Sequence, residues 1–434
     1  MPGAGMGYVL AGSLLIPLSA IWVLNRLEWP TRAVKYVVLA AAALSICGCI
    51  ININYFTAAF GATEAQPLLE NLDSRRDWSW ACHIAFGDQA PDSMPGGMSF
   101  ITAALLSLFG RSVAVPVLFD SFCYVMALIV MGTVAWRVTT DRRVANITVV
   151  IAATMCYLFV QGTLLIKDAP VTFLFAVIVA RLLAWRERPQ LSVGSVVTFI
   201  FVLAVLGILR HNIMPMVALV SLLLAVRAPR RAALTLALAA LAAMLWRMVV
   251  DSCIMPVPTS MVRVLSAEKD AMVVLSNPYT APWDSLTGDY TTLSFWQKLL
   301  WLPASLTLQF LLPFPWNFGR DMIFGPVEAV AHFGFTWYIA GALVLYWLAS
   351  RFKKSSSAMQ YTVLAGVIFT IITAYLSSGR VSRYCLPYLP LLLPAAAEVL
   401  VYCRHRRSLK VWLGIFAVFL TSGLVYCYYL QSNL

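Results

Sequence analysis

The stretch that decides the fold runs from Val113 to Gly162: VAVPVLFDSFCYVMALIVMGTVAW (113–136), RVTTDRR (137–143) and VANITVVIAATMCYLFVQG (144–162). Two long apolar runs flank a short link that carries Arg137, Arg142 and Arg143. A helix rises about 1.5 Å per residue and a bilayer core is about 30 Å thick, so about 20 apolar residues cross it. Both runs are long enough. A short basic link between them suits a helical hairpin whose turn lies on the cytoplasmic side.

The same pattern extends in both directions. Apolar runs occupy 7–24, 34–54, 113–136, 144–162, 168–185, 192–209, 211–226, 231–249, 327–350, 359–377, 382–403 and 410–430. They predict an all-α polytopic membrane protein with about 12 transmembrane helices. Two further stretches, 97–109 (short) and 299–315 (cut by Pro303, Pro313 and Pro315), are expected on the outer face as juxtamembrane or re-entrant helices. Composition agrees. Of 434 residues 61% are hydrophobic and 12% charged, against about 25% charged in soluble domains. A soluble enzyme and a disordered chain are excluded, and a β-barrel would alternate apolar with polar residues. Residues 1–434 read as one integral-membrane domain. It comprises N-terminal helices (1–54), a first outer loop (55–112), central helices (113–249), a second outer loop (250–326) and C-terminal helices (327–434). The run from Tyr8 to Leu24 has no basic residue before it and no cleavage site after it, so a retained helix is expected rather than a signal peptide.

Charge orients the chain. One side collects Arg26, Arg32, Lys35, Arg137, Arg142, Arg143, Arg186, Arg188, Arg227, Arg230, Arg231, Arg351, Lys353, Lys354, Arg404, Arg406, Arg407 and Lys410. Only Glu28, Asp141, Glu187 and Glu398 oppose them there. By the positive-inside rule this side is cytoplasmic and both termini face out. The net charge of +12 therefore reflects basic loops, and no nucleic-acid partner is implied. The long loops, 55–112 and 250–326, both lie outside, where chemistry is expected. Cysteine adds little. No CxxC occurs, most of the nine cysteines fall in apolar runs, and Cys82 and Cys253 in the outer loops are expected as free thiols rather than a pair.

Within the first outer loop, Asp77 precedes Trp78, Trp80, Ala81, Ile84 and Ala85, the pattern of a short interfacial helix. Asp77 is placed at its start, as a helix cap or as a functional carboxylate. Lys167-Asp168-Ala-Pro170 sits at the outer mouth of a helix, with Asp168 again a candidate cap. Asp120 lies about two turns inside its span, either functional or the partner of a boundary arginine. Outer-side cations form a third group: Arg210-His211-Asn212, Lys298, Arg320, and Arg380 with Arg383-Tyr384. Guanidinium groups there suit a lipid phosphate, or they snorkel to headgroups. No Walker loop, nucleotide-binding glycine pattern, serine elbow or HExxH motif occurs, so no cofactor is required by the sequence and a divalent metal is not indicated.

The order of these features resembles the GT-C superfamily of integral-membrane glycosyltransferases, in the branch of the protein O-mannosyltransferases and the lipid A aminoarabinose transferase. The resemblance runs from about residue 60 to 230 and resumes near 375. It rests on Asp77 with Ala85 eight positions on, and on a Pro95-led helix ending in Leu108-Phe109-Gly110. Asp168-Ala169-Pro170 and the run Arg383-Tyr384-Cys-Leu-Pro387-Tyr-Leu-Pro390 complete it. Three features depart from the family. Trp78 stands where a second acid often follows, Pro95-Gly96-Gly97 replaces a double proline, and an additional N-terminal helix comes without a large soluble C-terminal domain.

The resemblance implies a GT-C-like fold in a bacterial inner or plasma membrane with an outward-facing site. It implies transfer of a sugar from a polyprenyl-phosphate carrier to a glycan, lipid or protein acceptor. Asp77 and Asp168 would be the catalytic pair, with Asp77 as general base and Asp168 orienting the acceptor or holding Lys167. Arg383, Arg380, Lys167 and Arg210 would bind the lipid phosphate. Trp80, His83 and Tyr384 would contact sugar or acceptor, and residues 250–326, with Tyr279, Trp283, Tyr290, Trp296 and Trp316, would hold acceptor specificity. Two other readings stay open: a polymerase of lipid-linked repeat units, which would lean on arginines, and a transporter or flippase, which would need charges deep in several spans.

Overall fold

The hairpin that decides the fold forms as its residues require. In the computed structural model the first helix of the pair, Ala114–Thr139, ends at Thr140, whose left-handed φ of 54° turns the chain back while its N–H bonds the Trp136 carbonyl. Asp141 then caps the next helix, its carboxylate accepting the Arg143 amide at 2.8 Å.

The structure describes residues 2–59, 72–91, 95–187, 192–210, 213–225, 294–311, 327, 335–377 and 386–432. Among them the α-helices are α1 (Pro2–Asn25), α2 (Arg32–Ala59), α3 (Leu72–Phe86), α4 (Gly97–Phe109), α5 (Ala114–Thr139), α6 (Arg142–Ala153), α7 (Cys156–Gln161), α8 (Asp168–Glu187), α9 (Val193–Leu209), α10 (Met214–Ala225), α11 (Phe295–Leu311), α12 (Phe335–Ser350), α13 (Ser357–Ser377), α14 (Leu389–Cys403) and α15 (Arg407–Ser432). α5 is the central post, packed by α1, α2, α6, α8 and α14. Tyr124, Leu128, Met131 and Val134 of α5 are wholly buried. α15 lies at the periphery and exposes Val411, Ile415, Val418, Phe419 and Val425, the surface that hydrocarbon would cover.

The expected count of twelve crossings is not what the described residues show. Seven helices there are long and apolar enough to span: α1, α2, α5, α8, α13, α15, and α14 with the turn before it. The expected span 144–162 is two helices. Thr154 turns its hydroxyl onto the Ile151 carbonyl at 2.8 Å, competing with the helix ladder, and the chain breaks at Thr154–Met155. Of the run 211–226, the described residues hold the 12-residue α10. The run 97–109 forms a short helix as expected. The stretch 299–315 starts earlier, at Phe295, and runs through Pro303 without ending. The 231–249 run lies outside the described residues, as does most of the second outer loop.

Among the described residues, the loops expected to be cytoplasmic gather at one end. Asn146 bonds the Trp29 carbonyl and the Thr31 amide, and Arg137 pairs with Glu187 at 2.7 Å. Ser356 reaches the Val138 carbonyl, Arg186 bonds Ser357, and Tyr402 donates to Asp141. Arg351 pairs with buried Glu398, which also accepts from Trp347 and Ser355. Burial alone would raise the Asp141 carboxyl, but hydrogen bonds from Tyr402 and Arg143 outweigh it and hold its pKa below the usual value.

Candidate functional site

Asp77 is not at the start of its helix. α3 begins at Leu72, which places Asp77 in the second turn on a buried stripe of Ser74, Asp77, Trp78, Ala81 and Cys82, the i, i+3, i+4, i+7, i+8 pattern of an amphipathic face. That stripe packs on α4. The cap reading therefore fails. A carboxylate with 1% exposure in mid-helix needs partners from elsewhere. Ser99 supplies one, its hydroxyl donating to Asp77 Oδ1 at 2.9 Å, and Arg76 Nε lies 3.6 Å away. Ser99 is in the first turn of α4, whose N-cap Gly96 has no capping side chain. Asp77 thus meets the positive end of α4, where a carboxylate is favoured.

Two glycines make the approach possible. A Cβ on Gly96 would overlap Asp77 Oδ1, and a Cβ on Gly97 would overlap the Ile208 carbonyl near the end of α9. Pro95-Gly96-Gly97 is thus where α3, the start of α4 and the end of α9 converge.

Directly after α9 comes Arg210, which pairs through Nη1 with Asp168 Oδ1 at 2.9 Å; the side chains are 11% and 1% exposed. Asp168 was a candidate cap. Instead it opens the first turn of α8, with the Lys167 carbonyl accepting the Val171 amide, and its carboxylate turns out to Arg210. Asp168 Oδ2 is buried with no hydrogen-bond partner among the described residues. The expected link from Asp168 to Lys167 is replaced by this one. Lys167 is half-buried and its ammonium has no hydrogen bond or ion pair among the described residues.

Asp120, wholly buried, does not meet a boundary arginine. Its Oδ2 accepts the Ile166 amide at 3.0 Å, two residues before Asp168, and it lies within electrostatic reach of both Asp168 and Asp77. The two catalytic candidates are thus at the same end of the bundle, opposite the basic loops.

Trp80 and His83 stack edge to face, with ring centroids 5.4 Å apart. His83 Nδ1 contacts the Asp88 carbonyl, and the Asp88 carboxylate pairs with Arg111 at 2.6 Å, fastening the connection from α3 to α4. Cys82 beneath them is a buried free thiol, and burial pushes its pKa up to about 11. Trp296 is exposed on α11. Arg380, Arg383 and Tyr384 lie outside the described residues, as do His211, Arg320, Tyr279, Trp283, Tyr290, Trp316 and Cys253. Among the described residues no three His, Cys, Asp or Glu side chains converge as a metal-ligand set. Ser74, Ser99 and Asn52 were not singled out from sequence. A lone hydroxyl or amide in an apolar helix carries no periodic signal, and only its partner reveals it.

No protein-family model matches this chain, and no curated protein matches it in sequence. Solved structures match it in shape. ArnT from Cupriavidus metallidurans in the apo state superposes with a TM-score of 0.52 at 16% identity, covering 91% of this chain and 65% of that one. ArnT bound to undecaprenyl phosphate gives 0.50 at 16%, with coverages of 88% and 63%. The archaeal oligosaccharyltransferase AglB from Archaeoglobus fulgidus, in complex with an inhibitory peptide and a dolichol-phosphate, gives 0.46 at 14%, with coverages of 93% and 56%. This chain spans less than two-thirds of the length of each of these proteins. At such identity the likeness is one of fold: over about nine-tenths of its length the chain shares the fold of ArnT.

Proposed function

We propose that this protein is a glycosyltransferase that moves a sugar from a polyprenyl-phosphate carrier to an acceptor hydroxyl at the outer membrane face. One observation carries the reading. Two buried carboxylates from different helices, Asp77 and Asp168, sit at the end of the bundle opposite the basic loops, with Arg210 on one and beside it Lys167, which has no ion pair among the described residues. The ArnT fold, seen with undecaprenyl phosphate bound, supports a polyprenyl carrier as donor.

In this reading the acceptor oxygen attacks the anomeric carbon as the bond from that carbon to the phosphate oxygen breaks. The anomeric configuration inverts and the carrier phosphate leaves with the bonding electrons. Asp77 takes the hydroxyl proton. Around it, Ser99 donates to Oδ1 at 2.9 Å and the Arg76 guanidinium lies 3.6 Å away; Asp168 pairs with Arg210 at 2.9 Å. Asp168 orients the acceptor through Oδ2 and holds Arg210 in place. Lys167 and Arg210, joined by Arg380 and Arg383, stabilise the charge that grows on the phosphate. Trp80 and His83 contact the sugar or acceptor, the role the sequence also suggests for Tyr384.

The test is transfer in detergent from a panel of polyprenyl-phosphate sugars, comparing wild type with Asp77→Asn. The substitution keeps the shape and the Ser99 contact, so the fold survives, and activity falls about a hundredfold or more if Asp77 is the base. Equal activity moves the base to Asp168. No turnover by the wild type on any carrier sugar overturns the reading.

A further inference from the structure

The turn at 162–167 bears Lys167 and leads into Asp168; within it the Ile166 amide reaches the Leu164 carbonyl at 3.0 Å, and further bonds come from outside the turn. Thr163, Leu164, Leu165 and Ile166 are all buried. Irregular backbone at membrane depth persists only where protein groups satisfy its amides and carbonyls. Three helices supply them. Asn52 of α2 donates to the Thr163 carbonyl at 3.1 Å, Ser74 of α3 to the Leu165 carbonyl at 2.7 Å, and Asp120 of α5 accepts the Ile166 amide at 3.0 Å.

Ser74 stands three residues before Asp77 on the same buried face of α3. Its bond to Leu165 therefore ties the helix that carries one carboxylate to the turn that carries the other. Asp120 fixes the next amide along. An ionisable side chain inside a span is costly, and one accepting a single backbone N–H has a specific job.

We infer that Asp120 and Ser74 are positioning residues, which set the placement of Lys167 and Asp168 relative to Asp77 by gripping the 165–166 backbone. This rests on the transferase reading for its consequence and on the hydrogen bonds alone for its structure. The reacting groups must be held to well under an ångström, since a misplacement of that order costs roughly a hundredfold in rate. Loss of the grip lowers kcat far more than it raises donor KM, because charge attraction to the phosphate tolerates a displacement of Lys167 that proton transfer at the reacting centre does not. An asparagine at 120 still offers an oxygen to the Ile166 amide, so it rescues what alanine loses.

The experiment uses the full chain in detergent and compares wild type, Asp120→Asn, Asp120→Ala and Ser74→Ala. Amide hydrogen exchange is followed in the peptide covering 162–168, together with transfer kinetics. In Asp120→Ala the exchange of that peptide rises about tenfold or more, and kcat falls by a factor of about thirty or more with donor KM within about threefold. Asp120→Asn keeps both near wild type, and Ser74→Ala moves both in the direction of alanine at 120. Equal losses in the asparagine and alanine variants overturn the inference, since the charge would then be what matters. So does faster exchange with unchanged kcat, or unchanged exchange. Should Asp120→Ala not be recovered folded, Ser74→Ala decides by the same criteria. Should the wild type transfer no sugar, the transferase reading fails, and exchange alone then upholds or overturns the grip on the turn.

Discussion

At the scale of the residue, the site is a matter of room and pairing. Gly96 has φ −80° and ψ 161°, a conformation open to any residue, so what it contributes is space for the Asp77 carboxylate. Gly96→Ala therefore displaces Asp77 without backbone strain. The expected outcome is a loss of about tenfold or more in transfer rate, with a thermal midpoint lowered by a few degrees as for mild overpacking. The two cations behave differently. Lys167→Ala removes a charge with no ion pair among the described residues and weakens donor binding, raising its KM about tenfold with the midpoint unchanged. Arg210→Ala strips the partner from buried Asp168, which costs stability on the order of 3–5 kcal/mol as well as activity. Parallel kinetics and thermal melts separate the pair; equal stability losses would show that Lys167 is also structural. None of these distinctions was legible in the chain, where both residues were simply outer-side cations.

At the scale of the element, the α5–α6 hairpin was readable and the path beyond it was not. Arg137, Arg142 and Arg143 marked the turn, and Asp141 is the N-cap that a helix beginning at Arg142 wants. The break at Thr154 left no glycine or proline to betray it. Pro303 misled in the other direction, since a proline inside an apolar helix is tolerated where neighbours re-satisfy the freed carbonyl. α3 was shifted because its first turn, Leu72 to Arg75, is polar and reads as loop. Acid reveals how the hairpin is tied to α14. The folded pKa of Asp141 is lowered, so its contribution to stability is present above the unfolded value of about 3.9 and lost as pH falls through the folded value. Tyr402→Phe is expected to lower the thermal midpoint by about a degree or two at pH 7. The difference from wild type should shrink as pH falls below the unfolded value and vanish below the folded one. A difference that persists there would assign the effect to packing of the ring instead.

At the scale of the whole molecule, the asymmetry of charge becomes an asymmetry of ends. One end is laced by Arg137–Glu187, Arg351–Glu398 and the Tyr402–Asp141 bond; the other carries Asp77, Asp168, Arg210 and Lys167. The positive-inside rule predicts that the second end faces outward. Single cysteines at exposed Gln89 and exposed Lys353, each in a background without the native thiols, test this. A membrane-impermeant maleimide should label Gln89→Cys in intact cells and Lys353→Cys only after lysis. The reverse pattern would put the carboxylates inside and remove the lipid-carrier mechanism.

Sequence alone determined that this protein lives in a bilayer, that its basic loops share one end, and which acids stand near the other. Hydropathy and charge act over whole segments, so composition and spacing report them without knowledge of neighbours. The tertiary structure alone decided that Asp77 is gripped by Ser99 rather than capping α3, that Asp168 holds Arg210 rather than Lys167, and that Asp120 serves a backbone amide. Each of these is a contact between residues far apart in the chain, for which a buried polar atom accepts whichever partner the packing of helices delivers.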